Sequence, residues 1–471
     1  MSKQIPVQDV TPPAKGDTNN NDLYAKREKI YTRAFTGIFR RLRMVGGAAL
    51  FLLYFGTVWL NWSGRQAVWW DLPERKFYIF GATFWPQDFM LLSWLLIVCA
   101  FGLFFITVFA GRVWCGYTCP QSVWTWIYMW CEKVTEGDRN QRIKLDKAPM
   151  SGNKLLRKTA KHSLWLLIGL VTGLTFVGYF SPIRELIPEL LTGQADGWAY
   201  FWVGLFTLAT YGNAGWLREQ VCIYMCPYAR FQSVMFDKDT LIVSYDPRRG
   251  EKRGPRKKSL DYKAQGLGDC IDCTMCVQVC PTGIDIRDGL QIECIGCAAC
   301  IDACDSIMEK MNYPKGLISY TTEHNLNGQK THLARPRLIG YAIALVLMIS
   351  ALITAVVLRP LVGFDVSKDR VLYRENELGR IENVYSLKIM NKDQQDHTYI
   401  LGAKGLEGLT LEGRRELKVA AGDILNLPME LSIEPEKLPS TTNEIVFTIE
   451  SADDPSIHKE AKSRFIGPRT R

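Results

Sequence analysis

Two stretches of the chain concentrate the residues able to do chemistry. GDCIDCTMCVQVCPTGIDI carries Cys270, Cys273, Cys276 and Cys280 followed by Pro281, and IECIGCAACIDACDSIM repeats the spacing with Cys294, Cys297, Cys300 and Cys304. Iron prefers thiolate, and CxxCxxCxxxCP spacing lets three sulfurs of one loop cap three corners of a cubane while the fourth reaches a neighbouring cluster. The spacing therefore predicts two 4Fe-4S clusters. One is expected on Cys270, Cys273, Cys276 and Cys304, the other on Cys294, Cys297, Cys300 and Cys280. Structural zinc sites use two CxxC pairs set farther apart, which doubled runs of four do not match. The second run ends in Asp305 rather than Pro, so the chain after Cys304 is expected to turn differently.

A second constellation comes from an internal repeat. GRVWCGYTCPQSVWTWIYMW and LREQVCIYMCPYARFQSVMF each place an Arg, then CxxxCP, then an aromatic stretch. Cys115 and Cys119 of one copy and Cys222 and Cys226 of the other form a four-thiol set suited to a soft metal, Cu(I) above all, or to electron exchange. Helical spacing puts each pair on one face at i and i+4. Pro120 and Pro227 oppose helical geometry at the residue before them, which moves the second Cys of each pair toward a turn. The bland alternative is four small buried residues that let helices approach.

The other candidates read as structural. Cys99 and Cys131 are expected to be packing residues, and the five His are too scattered to count as ligands. The basic run at 248–258 reads as charge facing solvent and acidic lipid, or as a dock for an acidic electron donor, and not as a nucleic-acid site.

These groups must be carried by a membrane framework. With 471 residues, 47% hydrophobic and 22% charged, the chain is too apolar to be disordered and long enough for several domains. Uncharged runs near 44–62, 89–113, 163–180, 199–216 and 338–358 approach the ~20 residues that a crossing helix needs, predicting five spans. Trp59, Trp62, Trp85, Trp114, Trp198 and Trp216 crowd their ends as interface rings would. The first twenty-odd residues are polar, with no apolar core for a cleaved secretory signal, and are expected to be a floppy tail.

Orientation follows from Lys and Arg. Arg33, Arg40, Arg41 and Arg43 precede the first run, and eight basic residues from Arg139 to Lys161 fill the connection between the second and third. The positive-inside bias makes both cytoplasmic, together with the segment from 237 to 336, and leaves the carboxyl-terminal region outside. Every Cys then falls in a span or on the reducing side, so a disulfide framework is not expected.

From about residue 360 the pattern changes to short alternating runs separated by Gly, Pro, Asp and Asn, which predicts an antiparallel sandwich with no catalytic cluster. The expected fold is a multi-pass α-helical membrane protein with a cytoplasmic two-cluster ferredoxin-like domain and a C-terminal all-β Ig-like sandwich. Its divisions are a basic tail (1–40), four spans with the CxxxCP repeats (41–236), the ferredoxin domain (237–336), a fifth span (337–359) and a periplasmic sandwich (360–471) that serves as a docking module.

The basic approach to the first span, both CxxxCP repeats, YDPRRGEKRG at 245–254, the doubled cysteine runs and the Ig-like tail together resemble the bacterial cytochrome c oxidase accessory proteins, the FixG-like membrane polyferredoxins. The resemblance implies an inner-membrane cupric reductase that serves assembly of a copper-haem oxidase. It implies electrons passing from a cytoplasmic donor through two clusters to copper near Cys115, Cys119, Cys222 and Cys226. The implied partners are the oxidase or its copper-delivery factors. Two other readings stand beside it: a quinol-linked conduit to an exported reductase, and a non-enzymatic copper-binding scaffold.

Overall fold

The computed structural model describes residues 29–258 and 261–468. The tail expected over the first twenty-odd residues lies outside them. Three helices among the described residues are long and apolar enough to cross a membrane: Pro86–Ala110, Gly152–Gly178 and Pro336–Val357. Their apolar side chains point mostly outward, so that lipid rather than protein would cover them. The helix Ile38–Thr57 has three arginines near its start, and the run at 199–216 divides into an α-helix, Gly197–Thr210, and a π-helical segment, Tyr211–Leu217.

Small residues set the helix packing. Gly169 and Gly173 of the Gly152–Gly178 helix lie against the carbonyls of Thr207 and Val203, where a Cβ would come within 2.9 and 2.7 Å. This small-xxx-small spacing lets two backbones approach closely. Cys131 is buried with Tyr128, Trp165 and Ala214, as a packing residue should be. Cys99 differs from expectation, since it faces outward from its helix.

The connection before the helix Phe89–Ala110 is more than an outer loop. Val68–Asp71, Lys76–Ile79 and Ala82–Phe84 form an antiparallel sheet. Trp85, expected at the interface, is only 2% exposed and lies beneath the Lys76 ammonium. An indole fits either environment, and here the adjoining sheet covers it.

Residues 362–466 form two antiparallel sheets. One runs Thr410–Glu412, Ile424–Ile433, Ile381–Asn391, Val362–Lys368; the other runs Glu416–Val419, His397–Lys404, Thr442–Ser451, His458–Ile466. Alternate residues point inward, including Tyr385, Leu387, Ile389, Tyr399, Leu401, Ile445 and Phe447. Asp88 pairs with Lys392 at 3.0 Å, and Arg359 donates to the Thr83 carbonyl at 2.7 Å, joining the sandwich to the small sheet. At the other end of the helices Phe89–Ala110 and Pro336–Val357, Thr240 and Arg335 both donate to the Val108 carbonyl. The cysteine-rich segment and the sandwich thus lie at opposite ends of this helix pair.

Ile242–Tyr245 pairs with Ile318–Thr321 and closes the cysteine-rich segment into a unit. That unit grips the amino-terminal part of the chain. Asp302 accepts from the backbone N–H groups of Phe39 and Arg40, capping the helix Ile38–Thr57 from outside. Phe35 joins Val279, Ile295, Cys297, Ala299 and Ala303 in one core.

Candidate functional site

The two cysteine runs fold as copies of one another. Asp272 and Thr274 in the first run, and Gly296 and Ala298 in the second, all adopt the left-handed backbone region. Each pair flanks the second Cys of its run, and the 24-residue offset between copies equals that between the cysteines. Left-handed residues on either side of a cysteine are the kind of backbone from which an anion-binding concavity of N–H groups, common at iron–sulfur sites, is built. The four-residue helix Met275–Gln278 and the thirteen-residue helix Ala299–Met311 begin immediately afterwards.

The sulfurs gather across the copies. Cys270, Cys273, Cys276 and Cys304 line one cavity with Tyr245, Met308 and Leu317. Cys280, Cys294, Cys297 and Cys300 line the other with Val243, Ile284 and Ile295, and Cys276 lies on the wall between the two. Burial pushes the Cys276 and Cys294 thiols up to about 12, and raises Cys280, Cys300 and Cys304 as well, with neighbouring sulfurs adding to the effect in Cys304 and Cys300. These buried thiols are costly to ionise without a cation, and iron ions would supply the compensating charge. Donor type, number and backbone concavity all fit a 4Fe-4S cluster in each cavity.

The two cavities differ in access. Cys273 is exposed, whereas Cys297 is buried and faces the CxxxCP repeats. A Cβ on Gly116, between Cys115 and Cys119, would lie 2.8 Å from the Cys297 Cα and 2.9 Å from the Gly296 carbonyl. Arg112 donates to the carbonyls of Ile292 and Cys294 on one side and to that of Ala229 on the other. Arg43 lies 4.3 Å over the Trp126 ring and donates to the Cys297 carbonyl. Sequence reasoning had assigned Arg43 to membrane orientation alone, and its burial at 6% exposure is what shows the second role.

The four CxxxCP thiols also come together. Burial raises Cys222 to about 12, reinforced by Cys119, Cys115 and Cys226, and raises Cys115 to about 11. Cys115 donates to Gln232 Oε1 at 3.5 Å, and Cys222 shares a cavity with Pro281, Thr282 and Ile295. Cys119 and Cys226 have extended backbones and precede the helices Pro120–Glu136 and Pro227–Met235. The prolines therefore act as expected, and neither pair occupies one continuous helix face. The copies also diverge: Cys115 lies in an α-turn, Cys222 in a π-turn, and Arg218 turns away to pair with Glu132 at 2.5 Å.

The His residues are less scattered than their spacing suggests. His324 and His332 converge on Asp239, a grouping that required the loop after residue 235 to fold back on residues 322–332.

Residues 217–323 match the family model described as a 4Fe-4S dicluster domain, and residues 352–468 match the IG-like fold at the C-terminal of FixG. The nitrogen fixation protein FixG of Rhizobium meliloti is 35% identical over 454 residues, covering 88% of this chain and 86% of that protein. Protein RdxB of Cereibacter sphaeroides is 40% identical over 414 residues, covering 84% and 87%. Among solved structures, a FixG-related protein from Vibrio parahaemolyticus is 37% identical, covering 22% of this chain and 95% of that chain with a TM-score of 0.21.

Proposed function

The chain belongs to the family of FixG and the Rdx proteins, iron–sulfur electron-transfer proteins, and from that premise we propose that it reduces Cu(II) to Cu(I) for assembly of a copper-haem cytochrome c oxidase. In this reading it crosses the bacterial inner membrane five times, adding the helices that begin at Ile38 and Gly197 to the three long apolar ones. The cysteine-rich unit is cytoplasmic and the sandwich periplasmic. The Lys and Arg bias and the separation of the two units at opposite ends of a helix pair support this orientation.

The observation that carries the reading is the contact of Gly116 with the Cys297 backbone, which sets the CxxxCP thiols against one cysteine cavity. Bound in the two cavities, 4Fe-4S clusters supply one-electron carriers. Exposed Cys273 marks the side where a reduced one-electron carrier protein docks, and the basic run at 248–258 favours an acidic one. Copper is the substrate: Cu²⁺ accepts one electron at Cys115, Cys119, Cys222 and Cys226, the carrier protein is oxidised, and Cu⁺ leaves. Thiolates bind Cu⁺ better than Cu²⁺, so the same ligands raise the driving force.

The test uses full-length protein, purified anaerobically and reduced, then mixed with Cu²⁺. Cluster absorbance and a Cu⁺ chelator are followed in wild type, Cys115→Ala/Cys119→Ala and Cys222→Ala/Cys226→Ala. Wild type should form Cu⁺ as the clusters reoxidise, with both variants slowed at least about tenfold. Equal rates in the variants refute the thiol site, and absence of Cu⁺ in wild type refutes the reductase.

One observation favours the quinol conduit as a second reading. A cavity of about 410 Å³ beside Pro281 is lined by Glu132, His162, Trp165, Trp216 and Arg218, a mixture of rings and proton-bonding groups suited to a quinol head. Reduction of the clusters by a soluble quinol would support it.

A further inference from the structure

We propose that Asp239, His324 and His332 bind a divalent transition-metal cation of the Cu²⁺ or Zn²⁺ class, at a site separate from all fourteen cysteines. One donor atom from each residue lies within 4.8 Å of the others. His324 Nδ1 is 2.7 Å from Asp239 Oδ1, and His332 Nδ1 is 3.7 Å from the same oxygen. Two imidazoles and a carboxylate are the donors that borderline divalent metals prefer, and three protein ligands leave a position for water.

The plainer explanation is that Asp239 staples a loop. A staple accounts for His324, whose ring bonds Asp239, and for the His332 backbone N–H, which donates to Asp239 Oδ1 at 2.9 Å. It leaves the His332 ring, which stands edge-on to the His324 ring with centroids 5.7 Å apart, without a hydrogen-bond partner among the described residues. That ring is 67% exposed and stands too far from Oδ1 for a hydrogen bond. The 3.7 Å separation instead suits two ligands that share a metal at ~2.0–2.2 Å from each, and an ion bound there would replace the 2.7 Å hydrogen bond between His324 and Asp239.

The surroundings hold the three residues in place. The His324 N–H donates to the Lys238 carbonyl at 3.2 Å, and Thr322 caps the turn Glu323–Leu326 while bonding Thr331 at 2.7 Å. Asp237 accepts from the Asp239 N–H at 3.0 Å and pairs with Arg335. Lys238 is drawn toward Glu323 at 3.7 Å, which keeps an ammonium engaged beside the site.

The location adds a consequence. The nine-residue helix Pro227–Met235 leads from Cys226 to this loop, a rise of roughly 14 Å. Leu241, two residues beyond Asp239, donates to the Phe109 carbonyl, close to the first CxxxCP turn. A nitrogen- and oxygen-liganded ion would be held on the same side of the molecule as the thiol set. The binding claim does not depend on copper reduction.

The experiment titrates Cu²⁺ into full-length protein carrying Cys115→Ser/Cys119→Ser/Cys222→Ser/Cys226→Ser, with clusters oxidised so that no electron is available, and reads electron paramagnetic resonance. One ion per chain should bind with hyperfine coupling to two nitrogens and be displaced by Zn²⁺. His332→Ala, which alters an exposed ring and should leave cluster absorbance unchanged, should weaken binding at least about tenfold. His324→Ala should do the same with one nitrogen lost. The same His332→Ala comparison in the otherwise unsubstituted chain guards against misfolding of the four-serine protein. Unchanged affinity and nitrogen coupling in His332→Ala, or no nitrogen-coupled Cu²⁺ in the parent, overturns the proposal.

Discussion

Gly116 and Cys297 touch backbone to backbone: a Cβ added to Gly116 would stand 2.8 Å from the Cα and 3.0 Å from the amide nitrogen of Cys297. Only glycine allows the turn between Cys115 and Cys119 to rest directly on the second cysteine run. Electron tunnelling falls steeply with distance, so this contact bears on rate more than on stability.

Gly116→Ala should therefore push the two loops apart. The expected result is near-normal iron content, a cost of about 1–3 kcal/mol from overpacking, and slower reoxidation of reduced clusters by Cu²⁺. Gly46→Ala, where a Cβ meets nothing within 4 Å, is the control and should be neutral or slightly stabilising. Stopped-flow absorbance on both variants checks this, and equal rates would show the contact to be incidental.

The two repeat arginines should respond differently to substitution. Arg112→Lys loses the fork that ties the Ile292 and Cys294 carbonyls to Ala229, so stability should fall by about 2–3 kcal/mol, with iron lost on mild heating. Arg218→Gln leaves buried Glu132 with Arg142 as its remaining ion-pair partner among the described residues, and should cost about 3–5 kcal/mol without selective iron loss. Iron release followed during a thermal ramp separates the two.

The cross-run gathering of sulfurs makes a spectroscopic prediction. Cys304→Ser should remove the same cluster signal as Cys273→Ser, and Cys280→Ser the same signal as Cys297→Ser. Mössbauer spectra of the four variants decide the matter. If Cys304→Ser instead matches Cys297→Ser, each run holds its own cluster and the assignment is wrong.

Asp146 fastens the stretch that carries Lys29 and Tyr31. Burial alone would raise its pKa, but bonds from Lys158 at 2.5 Å, Lys29 at 2.7 Å and Tyr31 at 2.7 Å outweigh that and hold the carboxyl well below its usual range. A depressed folded-state pKa stabilises above the unfolded value of ~3.9 and is lost only as pH falls through the folded value. Asp146→Asn should thus lower the apparent melting temperature, by an amount equivalent to about 1–2 kcal/mol, equally from pH 7 to 4.5. A difference that closed by pH 5 would contradict the assignment.

Much of this protein was legible in its residues. The doubled cysteine spacing identified the sulfur sites because ligation by a short loop constrains spacing directly, and period-two alternation after residue 360 announced the sandwich through the pleat of a strand. Cys119 and Cys226 were readable as turn residues from the prolines beside them. Long-range choices left no such trace. Nothing local distinguishes Arg43, which reaches the Cys297 carbonyl, from Arg41, or tells Arg112 to bridge loops while Arg218 seeks Glu132.

What the sequence by itself determined is the inventory: which thiols exist, how they are spaced, and which segments prefer lipid or sheet, all properties of one stretch of chain. Only the tertiary structure decided proximity. It brought Gly116 onto Cys297, joined Cys304 to a run 24 residues upstream, and set His324 and His332 against Asp239. Such contacts depend on how separate elements pack, and the energy of that packing is shared among many residues whose individual types are compatible with other arrangements.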